Sequence, residues 1–283
     1  MFGTKYTKKE ILKNYRARFE CLPEYYTEEV KRIIDDVDST YIDVKNHENN
    51  LSFREVMSIT REFLKDLNIE YLCLFDYLVS NNKIKTKGKN KRKLKKFGNH
   101  NCLNIEINYN DTDFLLHTLI HEIGHATTKR EEGYLYLNSI YDEAPSHLFT
   151  FLFYDFLNER YPKIDLSKNM QKQFNITFSG FNKDNKKILD LIHKSKEEEF
   201  DSISEGIDIF EYESNITYLY SYYLAHILHE EYKSTKDLNK IKTMSYLIRS
   251  SLVENKDLLN EIGIEESKLG TKVMQKEIRK NLR

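Results

Sequence analysis

Residues 102–125 read CLNIEINYNDTDFLLHTLIHEIGH, and the fold is decided by how this stretch is divided. Residues 102–108 alternate apolar and polar, the period of a half-buried strand. Asn110, Asp111, Thr112 and Asp113 follow, supplying N-cap side chains and early negative charge for a helix. Phe114, Leu115, Leu116, Leu119, Ile120 and Ile123 then recur at helical spacing. The stretch is therefore a strand leading into an amphipathic helix.

Working outward, helices dominate the expectation. Only 3 prolines and 9 glycines occur in 283 residues, which favours long helices over a strand-and-turn architecture. Residues 7–80 read as helical, with apolar positions at helical spacing in 56–64 and again in 71–78. Residues 81–97 form a basic run without interleaved aromatic residues, read as a solvated loop between helix and strand. A second apolar helix is expected over about 140–160, ending before Tyr161-Pro162. Residues 165–213 read as a mixed stretch with polar linkers around Gly180 and Gly206, residues 214–232 as a Tyr-rich helix, and the remainder as charged helical hairpins. No repeat or low-complexity segment breaks the chain. The expectation is one mainly α domain over 1–283: a helical part at 1–80, a loop and small sheet at 81–110, and a helical part at 111–283.

Composition narrows the function classes. The 44 basic and 45 acidic side chains nearly cancel, so no global field draws the chain to nucleic acid or to a membrane surface. The 20 Tyr and 16 Phe give the core large fillers, some with a polar handle. Cys21, Cys73 and Cys102 are odd in number and widely spaced, which argues against a disulfide framework and for a reducing compartment. The first twenty residues are polar and charged, unlike a signal peptide, and no apolar stretch is long enough to span a bilayer. A cytoplasmic protein is expected.

The chemistry lies in His121-Glu122-Ile123-Gly124-His125. On a helix, residues four apart share a face, so both imidazoles can bind one zinc ion. Glu122 then stands beside the metal, where it can take a proton from a zinc-bound water; this is the core of a zinc metalloendopeptidase. Gly124 inside a helix costs about 1 kcal/mol against Ala, a loss that close approach at the ligand face would justify. Catalytic zinc takes three protein ligands and keeps one position open. The third comes from Glu131, Glu132, Asp142, Glu143 or His147. Glu131 and Glu132 follow the helix too closely to fold back. Glu143, 18 residues past His125, allows the chain to turn and return, and Pro145 suits a first helical turn or a kink. His117 shares the face of His121 one turn earlier, as a packing or supporting residue. His147 is a supporting partner for Glu143.

These motifs resemble the zinc metallopeptidases of the thimet oligopeptidase and oligoendopeptidase F family. The resemblance runs from Asn108-Tyr109 and Thr112-Asp113 through Leu119–Ala126, resumes at Glu143-Ala144-Pro145-Ser146, and returns at Tyr218-Leu219-Tyr220-Ser221-Tyr222. Looser similarity extends from Phe53-Arg54-Glu55 to Gly88-Lys89. The resemblance implies a mainly α, zincin-like helical fold of the gluzincin type. It also implies His121, His125 and Glu143 as ligands of one zinc per chain, Glu122 as general base, and Tyr220, with Tyr212, as donor to the tetrahedral intermediate. Short or unstructured peptides are the implied substrates. The chain is a shortened and divergent member: Thr128 stands where many relatives carry His, and Phe210-Glu211-Tyr212-Glu213 replaces their Gly- and His-rich segment.

Tyr218 and Tyr222, four apart, read as packing positions, with Tyr223 a further functional candidate. His226 and His229 read as substrate donors or surface residues. The strand at 103–108 is expected to pair with substrate backbone. Two other readings compete. One is a dedicated zinc protease that cuts a single protein partner such as a repressor; the other is an inactive metal- or peptide-binding module.

Overall fold

The computed structural model describes residues 49, 51–87, 105–108, 112–128, 141–179, 209–250, 255–265 and 268–269. Among these the protein is mainly helical, with eight helices and two short strands. Contacts divide the chain into two compact units. One comprises Ile42–Phe174 with Ile216–Arg283 and holds the site discussed below; the other comprises Met1–Tyr41 with Asn175–Asn215.

Helix α1 spans Phe53–Leu67. Its start is written in the sequence as a capping box: the Ser52 hydroxyl accepts from the Glu55 N–H, and the Glu55 carboxylate accepts from the Ser52 N–H. Val56, Ile59, Thr60, Phe63, Leu64 and Leu67 form its buried stripe. Asn68, in extended conformation, ends α1 and also caps α2 (Ile69–Ser80), its side chain accepting from the Glu70 N–H. One residue thus turns the chain between two helices. A bidentate Arg61–Asp76 pair, at 2.9 and 2.8 Å, links their exposed faces.

Asn82, in the left-handed region at φ 52°, leads into strand β1 (Ile84–Lys87). Strand β2 (Ile105–Asn108) pairs with it in parallel, Ile84 opposite Ile105. Part of the basic run expected to be loop is therefore a strand. Ile84 is the only apolar residue among 84–87, so alternation alone does not mark the strand. Residues 88–104, 109–111 and 129–140 lie outside the described residues.

Helix α3 spans Thr112–Ala126 and buries Leu115, Leu116, Leu119, Ile120 and Ile123. It packs against β2, α1 and, most extensively, α4 (Ala144–Arg160). Helix α4 is the centre of the fold: every residue from Ala144 to Phe153 is buried. Phe63 of α1 meets Phe149, Phe153 and Phe156 of α4, and Tyr71 of α2 meets Phe149 edge to face. Each such buried ring contributes roughly 2–3 kcal/mol by removal of apolar area from water. The helix stops at Arg160, before Tyr161-Pro162.

Helix α5 (Ser167–Ser179) lies inside residues 165–213, the stretch expected to be mixed with polar linkers around Gly180 and Gly206. Helix α6 runs over Ile209–Thr235, longer at both ends than expected. Helices α7 (Asn239–Ser250) and α8 (Asn255–Glu261) follow, and residues 270–283 lie outside the described set. No described helix is long and apolar enough to cross a membrane.

Candidate metal centre

Helix α3 presents His121 and His125 one turn apart, their rings 5.0 Å between centroids and nearly perpendicular. The third group comes from the turn before α4. Residues 141–143 form that turn, and Glu143 holds the N-cap position of α4. N-cap side chains ordinarily fold back onto their own helix. The Glu143 side chain makes no such bond and is directed at the two imidazoles.

Two contacts hold that turn. The Glu143 N–H donates to the Ser221 hydroxyl of α6 at 3.2 Å. Gly124 of α3 lies directly against α4. A β-carbon there would stand 2.5 Å from the Ser146 α-carbon and 2.8 Å from the Pro145 carbonyl oxygen, distances that no side chain can occupy without backbone movement. The glycine is thus required by the approach of two helices, and that approach is what carries Glu143 to the histidine face.

The resulting cluster is compact. Glu143 Oε2 lies 3.2 Å from His121 Nε2 and 3.1 Å from His125 Nε2, and the three ligand-type atoms fall within 4.8 Å of one another. Burial favours a neutral carboxyl at Glu143, but the adjoining His125 and His121 imidazoles outweigh it and hold the group well below the usual carboxylate range. Despite the short separations, Glu143 Oε2 is buried and receives no hydrogen bond of acceptable geometry. The two imidazoles and the carboxylate therefore converge on a common point. Tetrahedral zinc, with bonds of about 2.0–2.1 Å, sets neighbouring ligand atoms about 3.3 Å apart. The observed 3.1 and 3.2 Å fit a cation of that kind, and Glu143, His121 and His125 are the residues that could hold it.

Glu122 is partly buried on α3, beside His121 in sequence. Its charge, with that of Glu143, reaches Tyr218 of α6. Glu143 first, then burial and Glu122, push the Tyr218 phenol strongly upward. Tyr218 is thus a neutral donor at the cluster. The family resemblance implies Tyr220 for this role and the helical spacing reads Tyr218 as a packing position. Tyr220 is buried two residues further on, about 200° round the helix from Tyr218. Ser221, three residues from Tyr218, also touches Glu143. Tyr212 lies on α6, but its side chain is outside the described residues; Tyr223 is fully buried.

The remaining histidines sort by burial. His147 is buried, with its ring 5.6 Å from those of His121 and Tyr218 and 5.2 Å from that of Tyr222. Burial drives its imidazole well below the ordinary range, and its Nε2 has no partner. It is a neutral wall behind His121. His117 is buried too, lowered to about 3 mainly by desolvation, with its ring against Tyr154. His226 and His229 are buried, not at the surface as one reading of the sequence had them. Thr128 donates its hydroxyl to the His125 carbonyl at 2.9 Å, closing the end of α3. Glu131 and Glu132 lie outside the described residues, and Asp142 is partly buried in the turn before Glu143.

Chemically, the cluster can hold one divalent cation between two imidazoles and a carboxylate, with a second carboxylate and a phenol close by. Comparison of the chain with protein-family models, with curated proteins and with solved structures gives no match.

Proposed function

We propose that the protein is a zinc-dependent metallopeptidase, a divergent relative of the thimet oligopeptidase and oligoendopeptidase F enzymes with a zincin-like helical core. The observation that supports this most is the meeting of Glu143 with His121 and His125 at 3.2 and 3.1 Å, with Glu122 and Tyr218 beside them.

His121, His125 and Glu143 would hold the ion, which when bound supplies Lewis acidity toward a carbonyl oxygen and lowers the pKa of water toward ~7. Glu122 is the general base: it accepts a proton from the attacking water and delivers it to the leaving amine. Tyr218 donates its hydroxyl hydrogen to the carbonyl oxygen as negative charge develops there, a contribution of roughly 3 kcal/mol for a donor of this type. Its strongly raised phenol keeps that proton at all physiological pH values. His147 and Tyr222 form a dry wall that fixes the His121 ring. Short, unstructured peptides are the proposed substrates, and a reducing cytoplasm is the proposed setting.

A base beside the ligands has no use in a pure binding module, so Glu122 separates the two readings. The Glu122→Gln chain is expected to keep zinc at wild-type stoichiometry while losing turnover of a panel of short quenched peptides. The wild-type enzyme is expected to lose activity to a chelator and regain it with zinc. Undiminished cleavage by Glu122→Gln would refute the proposal.

A further inference from the structure

A second group of metal-ligand side chains lies on the C-terminal half of α6. His226, His229 and Glu230 present ligand-type atoms within 4.8 Å of one another. Their spacing, i, i+3 and i+4, puts all three on one helix face. His226 begins eight residues after Tyr218, about 12 Å along the helix, and this group shares no residue with the first cluster.

The orientation of His229 is the decisive feature. Its Nε2 is 2.7 Å from Asp155 Oδ2 of α4, and its Nδ1 is 3.6 Å from Glu230 Oε1. Asp155 is a pure acceptor, so Nε2 carries the hydrogen. Nδ1 is then the nitrogen left to donate an electron pair, on the side of Glu230. This carboxylate–imidazole pairing is the arrangement that fixes the tautomer and raises the basicity of metal-bound histidines. His229 is 9% exposed and His226 7%, while the Glu230 side chain is 45% exposed, so the group has a buried nitrogen floor and a solvent-facing oxygen. Phe151 of α4 packs on both rings, at 5.5 Å from His229 and 6.5 Å from His226.

We propose that His226, His229 Nδ1 and Glu230 form a second divalent-cation site, with Asp155 as its positioning residue. Two imidazoles and one carboxylate suit zinc and its transition-metal neighbours over calcium or magnesium, which prefer all-oxygen shells. Lys233, now 3.2 Å from Glu230, is half exposed and swings away to solvent when the cation takes its place. Because Asp155 belongs to α4 and the ligands to α6, an occupied site locks the two helices in register. Those are the helices that bring Glu143 and Tyr218 together.

The site is independent of the peptidase reading and is tested without activity. The His121→Ala chain removes the first cluster and isolates the second. Zinc titration of that full-length variant by calorimetry, with metal analysis after gel filtration, is expected to give one equivalent. Adding Glu230→Gln, at an exposed position that leaves the fold intact by circular dichroism, is expected to weaken it at least tenfold. Adding Asp155→Asn instead is expected to weaken it by about 10–100-fold with the stoichiometry kept. Magnesium in millimolar excess is expected to leave the zinc isotherm unmoved. Absence of zinc binding in folded His121→Ala, or binding that Glu230→Gln leaves unaltered, overturns the site; an Asp155→Asn isotherm equal to its parent overturns the positioning role.

Discussion

Gly124 and Ser146 lie in backbone contact: a β-carbon on the former would fall 2.5 Å from the α-carbon of the latter. Helices α3 and α4 can close to this distance only at a glycine, and the closure sets Glu143 against the two histidines. Gly124→Ala gains up to about 1 kcal/mol of helix propensity. It must also displace backbone atoms of Pro145 and Ser146, since no flexible side chain stands in the way, and overpacking of this kind costs about 1–3 kcal/mol or more. A net loss of stability is expected, with zinc affinity falling because Glu143 is pushed off the imidazoles. Denaturant melts and zinc titration of the variant check this. An alanine variant as stable and as tight for zinc as the wild type would remove the packing argument.

Tyr218 and Tyr220 make a controlled pair, since both are tyrosines on one helix and the first feels the charges of Glu143 and Glu122. Tyr218→Phe is expected to lower kcat/KM for a short peptide by about 10²-fold or more, the size of one lost oxyanion donor. Tyr220→Phe is expected to change it by less than about threefold once a fold control is passed. Steady-state kinetics on both variants decide the assignment; the reverse ranking would return it to Tyr220.

The carboxylate of Glu143 and the two imidazoles converge on one point, where a cation would be bound by all three. Zinc is therefore expected to stabilise the folded chain through His125. At a free concentration about 100 times Kd, binding adds about 2.7 kcal/mol. For a chain of this size that raises Tm by several degrees. In His125→Ala the increment from this site is expected to vanish, leaving only what the second group on α6 supplies. Melting curves with zinc and with chelator, run on both chains, measure the difference; equal increments would show that His125 is not a ligand.

Much of this arrangement is legible before any coordinates. The His121–His125 pair and the apolar stripe of α3 follow from residue spacing, and the capping box at Ser52 is a local signal that needs no tertiary partner. Glu143 is legible only because Pro145 marks a helix start at a suitable distance. Helix α5 escapes because its apolar stripe is thin: among its described buried positions only Met170 and Phe174 are apolar, while Asn169, Gln171 and Thr177 are polar. The choice between Tyr218 and Tyr220 is a tertiary matter. Tyr218, Tyr220 and Tyr222 are equally apolar and equally helical, and only the packing of α6 on Glu143 and His147 tells which one meets the cluster.

His117 supplies a pH signature that does not depend on the metal. Its ring is buried and its pKa is lowered to about 3, chiefly by desolvation, against about 6.5 in the unfolded chain. Above pH 6.5 the residue is neutral in both states and costs nothing. Between 6.5 and 3 the unfolded chain binds a proton that the folded chain refuses, so unfolding gains and stability falls as pH falls. The slope contributed by one such group is about 1.4 kcal/mol per pH unit. His117→Gln keeps a polar side chain of similar reach against Tyr154 without a titrating ring. Denaturant midpoints measured from pH 7 to pH 4.5, in chelator, are expected to decline less steeply in the variant by about one proton's worth of slope. Parallel declines in the two proteins would mean that His117 is protonated as readily in the folded state as in the unfolded one, and the dry pocket around it would have to be abandoned.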